Sequence, residues 1–252
     1  MLIVSKKHHG INIIDCWYAE RALKQSGVIR YQEALKPIGE KSVEFQTLVS
    51  DLTEDAEAIL SRFTKNCRYE VRRAERERVE CSYLYGKEIT HDDIAQFVDF
   101  FEDFWQSKGV HYAEKEKCRA LIEQYAAAGA FAITKATVDG KILVYHTYIV
   151  DEDRARLYQS ASQFRVDETI SSNVVGFANR YLHYQDMLWF KEFGKEQYDW
   201  GGAGTGGEVE SITKFKESFG GEPVTYYNAE GTKGVLPGVY KGLTGLIGKL
   251  GK

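Results

Sequence analysis

Apolar residues change their spacing along the chain, and each change marks a different kind of element. Three runs, Phe131–Val138, Lys141–Val150 and Ala155–Ala161, carry the clearest strand pattern. Asp139-Gly140 joins the first two. This dipeptide is favoured in two-residue hairpin turns, where both central positions need positive φ. The charged turn Asp151-Glu152-Asp153-Arg154 joins the second and third, so the three predict an antiparallel meander. The period then lengthens: Val174, Phe177, Ala178, Tyr181, Leu182, Leu188 and Trp189 place one apolar stripe on a long helix, stopped by Gly194. A short strand, Gln197–Trp200, leads through a glycine-rich loop, Gly201–Gly207, to a short helix carrying Ile212, Phe215 and Phe219. Gly220-Gly221 closes that helix, and Pro223–Asn228 is the last strand expected.

Upstream, Val43–Val49 alternates as a strand. Thr53 is the candidate cap of a helical segment from Glu54 to about Glu77, with acids in its first turn and a break near Asn66. Thr90-His91-Asp92-Asp93 has the form of a capping box, and Ile94, Phe97, Val98, Phe101, Phe104 and Trp105 follow at helical spacing. A further helix covers Glu114–Ala128 and ends at Gly129. The first 45 residues offer only short apolar pieces around Ile11–Trp17 and Val28–Tyr31. The element order predicts an α/β protein: a mixed sheet with helices.

Composition narrows the class. At 252 residues and 43% hydrophobic, the chain can build one substantial core, or one full domain and part of another. Aromatic residues at 13% and three prolines exclude a disordered chain. A net charge of −4 does not call for a nucleic-acid partner, although a local basic patch remains compatible with it. Cys16, Cys67, Cys81 and Cys118 form no Cys-x-x-Cys pair, so neither a structural zinc nor a redox pair is expected. The first residues, MLIVSKKHHGINIID, lack the apolar run of a secretory signal, and no stretch is apolar enough to span a bilayer. The expectation is a soluble cytoplasmic protein without a metal.

Local sequences then sharpen the element order. Asn179-Arg180-Tyr181-Leu182-His183 is followed by Trp189-Phe190-Lys191-Glu192-Phe193-Gly194 and Tyr198-Asp199-Trp200-Gly201-Gly202. Phe215-Lys216-Glu217-Ser218-Phe219-Gly220-Gly221 ends the series. Upstream stand Val49-Ser50-Asp51-Leu52 and Arg68-Tyr69-Glu70-Val71-Arg72-Arg73-Ala74-Glu75. Over roughly residues 45 to 230 the set resembles the Fem-type (FemAB-like) acyltransferases, GNAT relatives that build peptidoglycan cross-bridges. The resemblance implies a GNAT-like fold: a mixed, mostly antiparallel twisted sheet flanked by helices. It implies a partial N-terminal GNAT-like segment with the basic helix over 1–85, an acyltransferase domain over 86–230, and a separate tail over 231–252. Fem-type chains usually have two GNAT-like halves and a helical arm, whereas this one has room for one half and a fragment. The usual GNAT coenzyme A loop, Gln/Arg-x-x-Gly-x-Gly/Ala, is absent between Ala161 and the long helix.

In that fold two neighbouring strands splay apart, the donor enters the gap, an acceptor amine attacks, and an oxyanion must be stabilised. Donor phosphates would lie at the start of the long helix, at Ser171, Ser172 and Asn173, which are also ordinary helix-start residues. Tyr158 and Gln159 lie on the strand expected to line the gap. The resemblance implies that Lys216 lies near the reacting carbonyl, where a cation would stabilise developing negative charge, and Phe215 and Phe219 would pin its helix. Asp199, just before the glycines, could take a proton from the acceptor or brace the loop. Phe215, His146 and His183 are acceptor-side candidates, although a histidine at either position is more often a satisfied core residue. Arg68 and Arg72 share a helix face with Arg76 and suit an anion, either a nucleotide-linked acceptor or tRNA phosphates. Pairs Arg73–Glu77 and Arg78–Glu75 would make part of that face an ordinary salt-bridged surface. Gly202-Ala203-Gly204-Thr205-Gly206-Gly207 contains G-x-G-x-x-G, but no long βαβ series follows, so it suggests a flexible cover for the acceptor rather than a dinucleotide site.

The expected activity is transfer of an acyl group from acyl-CoA to an amine on a small-molecule, nucleotide-linked or lipid-linked envelope precursor. Aminoacyl-tRNA is the alternative donor, disfavoured by the acidic balance and the single basic helix. A non-catalytic GNAT-like binding module is the third reading. In the tail, Leu236, Val239, Tyr240, Leu243, Ile247 and Leu250 fall on one stripe beside Lys241, Lys249 and Lys252. Such a helix could rest on the inner face of an anionic membrane, dock on the protein's own body, or join two copies.

Overall fold

The computed structural model describes residues 1–163 and 171–234, without the side chain of Glu208. The tail from Val235 lies outside the described residues. The chain divides into two compact units, Met1–Thr47 with the chain from Val224, and Leu48–Pro223. The divisions fall at 47/48 and 223/224, whereas the sequence suggested 85/86, and the basic helix belongs to the larger unit.

In the smaller unit, β1 (Leu2–His8) and β2 (Ile11–Trp17) form an antiparallel hairpin. His9 and Gly10 turn it with φ of 48° and 78°. Strand β3 (Gly27–Ala34) runs parallel to β2 and antiparallel to β10 (Glu222–Lys233). Ile14, Cys16, Ala19, Ile29, Tyr31 and Ala34 form its core. Strand β1 gave no sequence signal because only Val4 along it is buried, so its pattern carries no alternation.

The larger unit begins within β4 (Val43–Asp51). Helices α1 (Ala56–Ser61) and α2 (Lys65–Arg76) follow, then β5 (Glu80–Tyr85), α3 (His91–Ser107) and α4 (Lys115–Ala127). The meander β6 (Phe131–Val138), β7 (Lys141–Val150) and β8 (Arg154–Ser162) comes next. Helix α5 (Ser172–Glu192), β9 (Gln197–Asp199) and α6 (Gly207–Glu217) complete it. The strand order is β4-β9-β8-β7-β6-β5, antiparallel except for β8 against β9. Asp139 and Gly140 turn the β6–β7 hairpin with φ of 48° and 77°, as that dipeptide predicts. Gly129 and Gly194 end α4 and α5 in the left-handed region. Thr90 and Asp93 form the expected capping box.

Two local expectations shift. Asp55, not Thr53, caps α1, accepting from the Ala58 N–H at 2.8 Å. Thr53 instead spends its N–H and hydroxyl on Asp51. The helical break lies at Arg62–Thr64, because Thr64 caps α2. Packed under the sheet, Leu52, Phe63, Tyr148, Met187, Phe190, Tyr198, Trp200 and Phe219 belong to the main core. No helix among the described residues is long and apolar enough to cross a membrane.

Two backbone details govern where this sheet opens. Strands β8 and β9 pair only from Arg154↔Gln197 to Arg156↔Asp199. Just beyond, Gly201, at φ 67°, crosses the Leu157 carbonyl so closely that a Cβ would lie 2.0 Å from that oxygen. Gly201→Ala is therefore expected to lose about 1–2 kcal/mol from the left-handed backbone alone, and more from the contact. Urea unfolding checks this; an unchanged midpoint would mean that the strands part without this close crossing.

Candidate functional site

Where the β8–β9 pairing stops, a cleft of about 440 Å³ opens within the larger unit. Its walls come from the end of α3 (Phe104, Ser107, Lys108), from β8 (Leu157, Ser160, Ser162) and from α5 (Asn179, His183). Trp200 and the α6 residues Ser211, Ile212, Phe215 and Lys216 complete them. Three of the residues singled out from the sequence, His183, Phe215 and Lys216, meet here.

A bulge decides which residues of β8 face the cleft. Thr147 pairs with Gln159 and Tyr148 with Leu157, leaving Tyr158 as the extra residue. The bulge brings Leu157, Ser160 and Ser162 onto the cleft wall despite their odd spacing. Tyr158 and Gln159, expected to line the gap, do not line it. Tyr158 packs against Phe131, and Gln159 meets Cys118 and Thr147. A bulge of this kind leaves no mark in the pattern of residue types, so the sequence did not show which residues of β8 line this cleft.

Lys216 lies in the last turn of α6, with 9% of its surface exposed. Its ammonium donates to the Trp200 carbonyl at 2.7 Å and the Gly202 carbonyl at 2.6 Å. The glycine-rich loop is thus anchored, and Thr213 adds a hydroxyl that accepts from Gly204 N and donates to Gly204 O. The loop expected to be a flexible cover is braced at Gly202 and Gly204. Asp199 is fully buried, and its Oδ1 accepts from the Gly201 N–H at 2.9 Å. It braces the loop and does not line the cleft.

Behind the cleft wall lies a buried polar chain. The Tyr148 hydroxyl donates to Asp186 Oδ2 at 2.5 Å and meets the Tyr198 hydroxyl at 2.8 Å. Tyr198 in turn meets His183 Nδ1 at 2.7 Å. His146 joins from the other side, Nδ1 to Asp186 Oδ2 at 2.8 Å and Nε2 to Asn179 Oδ1 at 2.8 Å. The imidazoles of His146 and His183 stack with centroids 3.9 Å apart. Burial, then the neighbouring His146, Lys216 and Arg180, hold the His183 pKa well below its usual range. Burial, reinforced by Asp186, pushes both phenols well above theirs, so they remain hydroxyls. The chain could be suspected from the sequence only through Asn179 and His183, one helical turn apart on α5; Tyr148, Asp186 and Tyr198 read as ordinary residues. His146, expected beside the acceptor, is fully buried and serves this chain.

His146, His183 and Asp186 each bring one ligand-type atom within 4.8 Å of the others. The two rings lie only 22° from parallel, so their in-plane lone pairs run side by side and cannot converge on one ion. The cluster does not fit a shared metal.

The remaining candidates lie elsewhere. Ser171 caps α5, accepting from Asn173 N, and Ser171, Ser172 and Asn173 are exposed at the open helix start, outside the cleft wall. Arg68 donates to the carbonyls of Ser61 and Phe63, which ties α2 to the end of α1. Arg72 lines a separate surface hollow of about 330 Å³ with Lys65, Arg68, Tyr69, Arg73 and Arg76. Arg73 pairs with Glu77 at 2.9 Å as expected. Between Arg78 and Glu75 only a backbone bond forms.

Residues 61–206 match a family model described as an acetyltransferase (GNAT) domain. Among solved structures the chain resembles FemX, at a TM-score of 0.60 and 12% identity, over 73% of this chain and 61% of that one. It therefore spans less than two thirds of the FemX chain. It also resembles the C-terminal domain of a protein described as a lysylphosphatidylglycerol synthetase, from Agrobacterium fabrum (TM-score 0.54, 13% identity, 92% of this chain, 81% of that one). L-PGS from Bacillus licheniformis gives a TM-score of 0.53 at 12% identity over 98% of this chain and 85% of that one. At these identities the likeness is one of fold. No curated protein sequence matches the chain.

The two charged hydrogen bonds of Lys216 carry a cost that its helix position alone did not suggest. Lys216→Met keeps the stem and removes the ammonium, and is expected to lower stability by about 1.5–3 kcal/mol. Chemical unfolding of wild type and variant measures this. Equal midpoints would show that the loop stands without the lysine.

Proposed function

The chain belongs to the acetyltransferase (GNAT) domain family, and we propose that it is an N-acyltransferase acting from an acyl-CoA thioester onto an amine. The acceptor is an amino sugar or amino acid of a cell-envelope precursor. One observation carries this reading: the cleft that opens where β8 and β9 stop pairing, with His183 and Lys216 in its largely apolar wall. A gap between two strands admits a thioester edge-on, and the acceptor amine reaches the carbonyl from the α5 and α6 side. Lys216 supplies positive charge close to the developing oxyanion, in a site where little water weakens it. The start of α5, where the helix dipole is positive and Ser171, Ser172 and Asn173 are exposed, suits the donor's phosphates. Convergence of polar groups on one cleft supports an enzyme over a non-catalytic binding module.

The arginine-lined hollow on α2 favours a second reading, in which the donor is an aminoacyl-tRNA. A row of arginines on one exposed helix face is suited to successive phosphates of a nucleic-acid backbone.

Calorimetric titration of the full chain with acetyl-CoA and with free coenzyme A separates the two. Micromolar binding of both is the expected outcome. If folded protein ignores both ligands but retains charged tRNA on a filter, the aminoacyl reading replaces the first. If it binds neither donor, the enzyme reading fails.

A further inference from the structure

We propose that Nε2 of His183 takes the proton from the attacking amine, and that the buried chain His183–Tyr198–Tyr148–Asp186 keeps that nitrogen unprotonated until it does. The inference rests on the acyl-transfer reading and names its base.

Counting protons fixes the direction of the chain. Tyr148 has one hydroxyl proton and donates it to Asp186 Oδ2 at 2.5 Å. At the 2.8 Å contact between the two hydroxyls Tyr148 can therefore only accept, so Tyr198 donates. Tyr198 then has no proton left for the 2.7 Å contact with His183, and Nδ1 must be the donor there. A neutral imidazole carries one N–H. With that proton on Nδ1, Nε2 is a lone pair, and His183 is a wall residue of the cleft. Among the described residues no hydrogen bond to Nε2 is formed.

The surroundings keep the ring neutral. From β7 it faces His146, from β9 Tyr198, from α6 Lys216, and on its own helix Arg180 and Asp186. Burial and the cationic neighbours disfavour the imidazolium and leave the base form in place at neutral pH. A weak base is adequate here, because an amine nitrogen becomes far more acidic once it has bonded to the acyl carbon. His146 cannot substitute, since its two ring nitrogens are held by Asp186 and Asn179. Asp199, the sequence's candidate for this role, is turned into the loop brace.

The step balances without a further reactant. The amine lone pair forms the C–N bond as the carbonyl π pair moves to oxygen, and Nε2 accepts one proton from that nitrogen. The carbonyl then re-forms and the C–S bond breaks, leaving its pair on sulfur. The proton on Nε2 passes to the thiolate, giving an amide and free thiol. Tyr198, Tyr148 and Asp186 touch no substrate in this scheme; they are positioning residues that set the tautomer, as a buried carboxylate does for a catalytic histidine.

The test reads the tautomer directly. Long-range ¹H–¹⁵N correlation spectra of the full chain with ¹⁵N-labelled histidine resolve six histidines, and the His183→Asn spectrum identifies the signal. The expected result is a neutral His183 with its proton on Nδ1, shifting toward the Nε2–H form in Tyr198→Phe. A wild-type His183 protonated on Nε2 would overturn the proposal. His183→Asn keeps an amide N–H for Tyr198 and removes the base. With acetyl-CoA and glucosamine as probes, its kcat is expected to fall by roughly 10²–10⁴-fold at nearly constant KM. Wild-type turnover in that variant would also overturn the proposal. Failure of the acyl-transfer reading looks different: the wild-type chain itself would not turn over, with the Nδ1–H tautomer intact.

Discussion

The larger unit is organised around a carboxylate that solvent does not reach. Asp186 lies in the middle of α5 with no exposed surface, where an unsatisfied acidic group would be costly. Its partners come from elsewhere in the fold: Tyr148 and His146 from β7, then Tyr198 from β9 through Tyr148. Each partner must sit within hydrogen-bond distance, so α5 can occupy only one height and rotation over the sheet. Apolar packing of Leu182, Met187 and Phe190 supplies most of the burial, but it would tolerate a slide that the polar chain does not.

That fixed helix gives the cleft its back wall. Asn179 and His183 face the opening because they lie two turns and one turn before Asp186 on the same helix. Arg180, beside them, stacks over Phe215 at 4.5 Å and pairs with Glu70, joining α6 and α2 to α5. On the sheet side the cleft depends on two local irregularities: the extra residue Tyr158 in β8 and the close crossing at Gly201. A regular β8 would turn Ser160 and Ser162 away, and any side chain at position 201 would drive the strands apart at the wrong point. Lys216 then secures the far wall by holding the carbonyls of Trp200 and Gly202.

The polar chain also explains why two histidines can sit stacked in an apolar interior. Every ring nitrogen but one is committed to a neighbour, so the pair is largely satisfied without water. The exception is at the cleft. Buried phenols that resist ionisation transmit orientation without contributing charge, and burial, with the cations nearby, keeps the cleft-side end of the chain neutral. A histidine left in open solvent would sample both tautomers; this one has a single choice.

Much of the architecture was legible from residue order alone. The meander from Phe131, the helix stopped by Gly194 and the capping box at Thr90 all rest on interactions between near neighbours in sequence. Turn geometry, caps and amphipathic periods are local physics, and residue types reveal them. His183, Phe215 and Lys216, named from the family resemblance, line one cleft in the structure. Strand β1 escaped notice because it buries only Val4, too little to leave a pattern. Which face of β8 meets the cleft, the turning of Asp199 into its loop, the use of Arg68 as a tie between helices, and the proton order from His183 to Asp186 were decided only in three dimensions. Each depends on atoms from distant segments meeting within about 3 Å, the range at which hydrogen bonds select among otherwise equivalent arrangements.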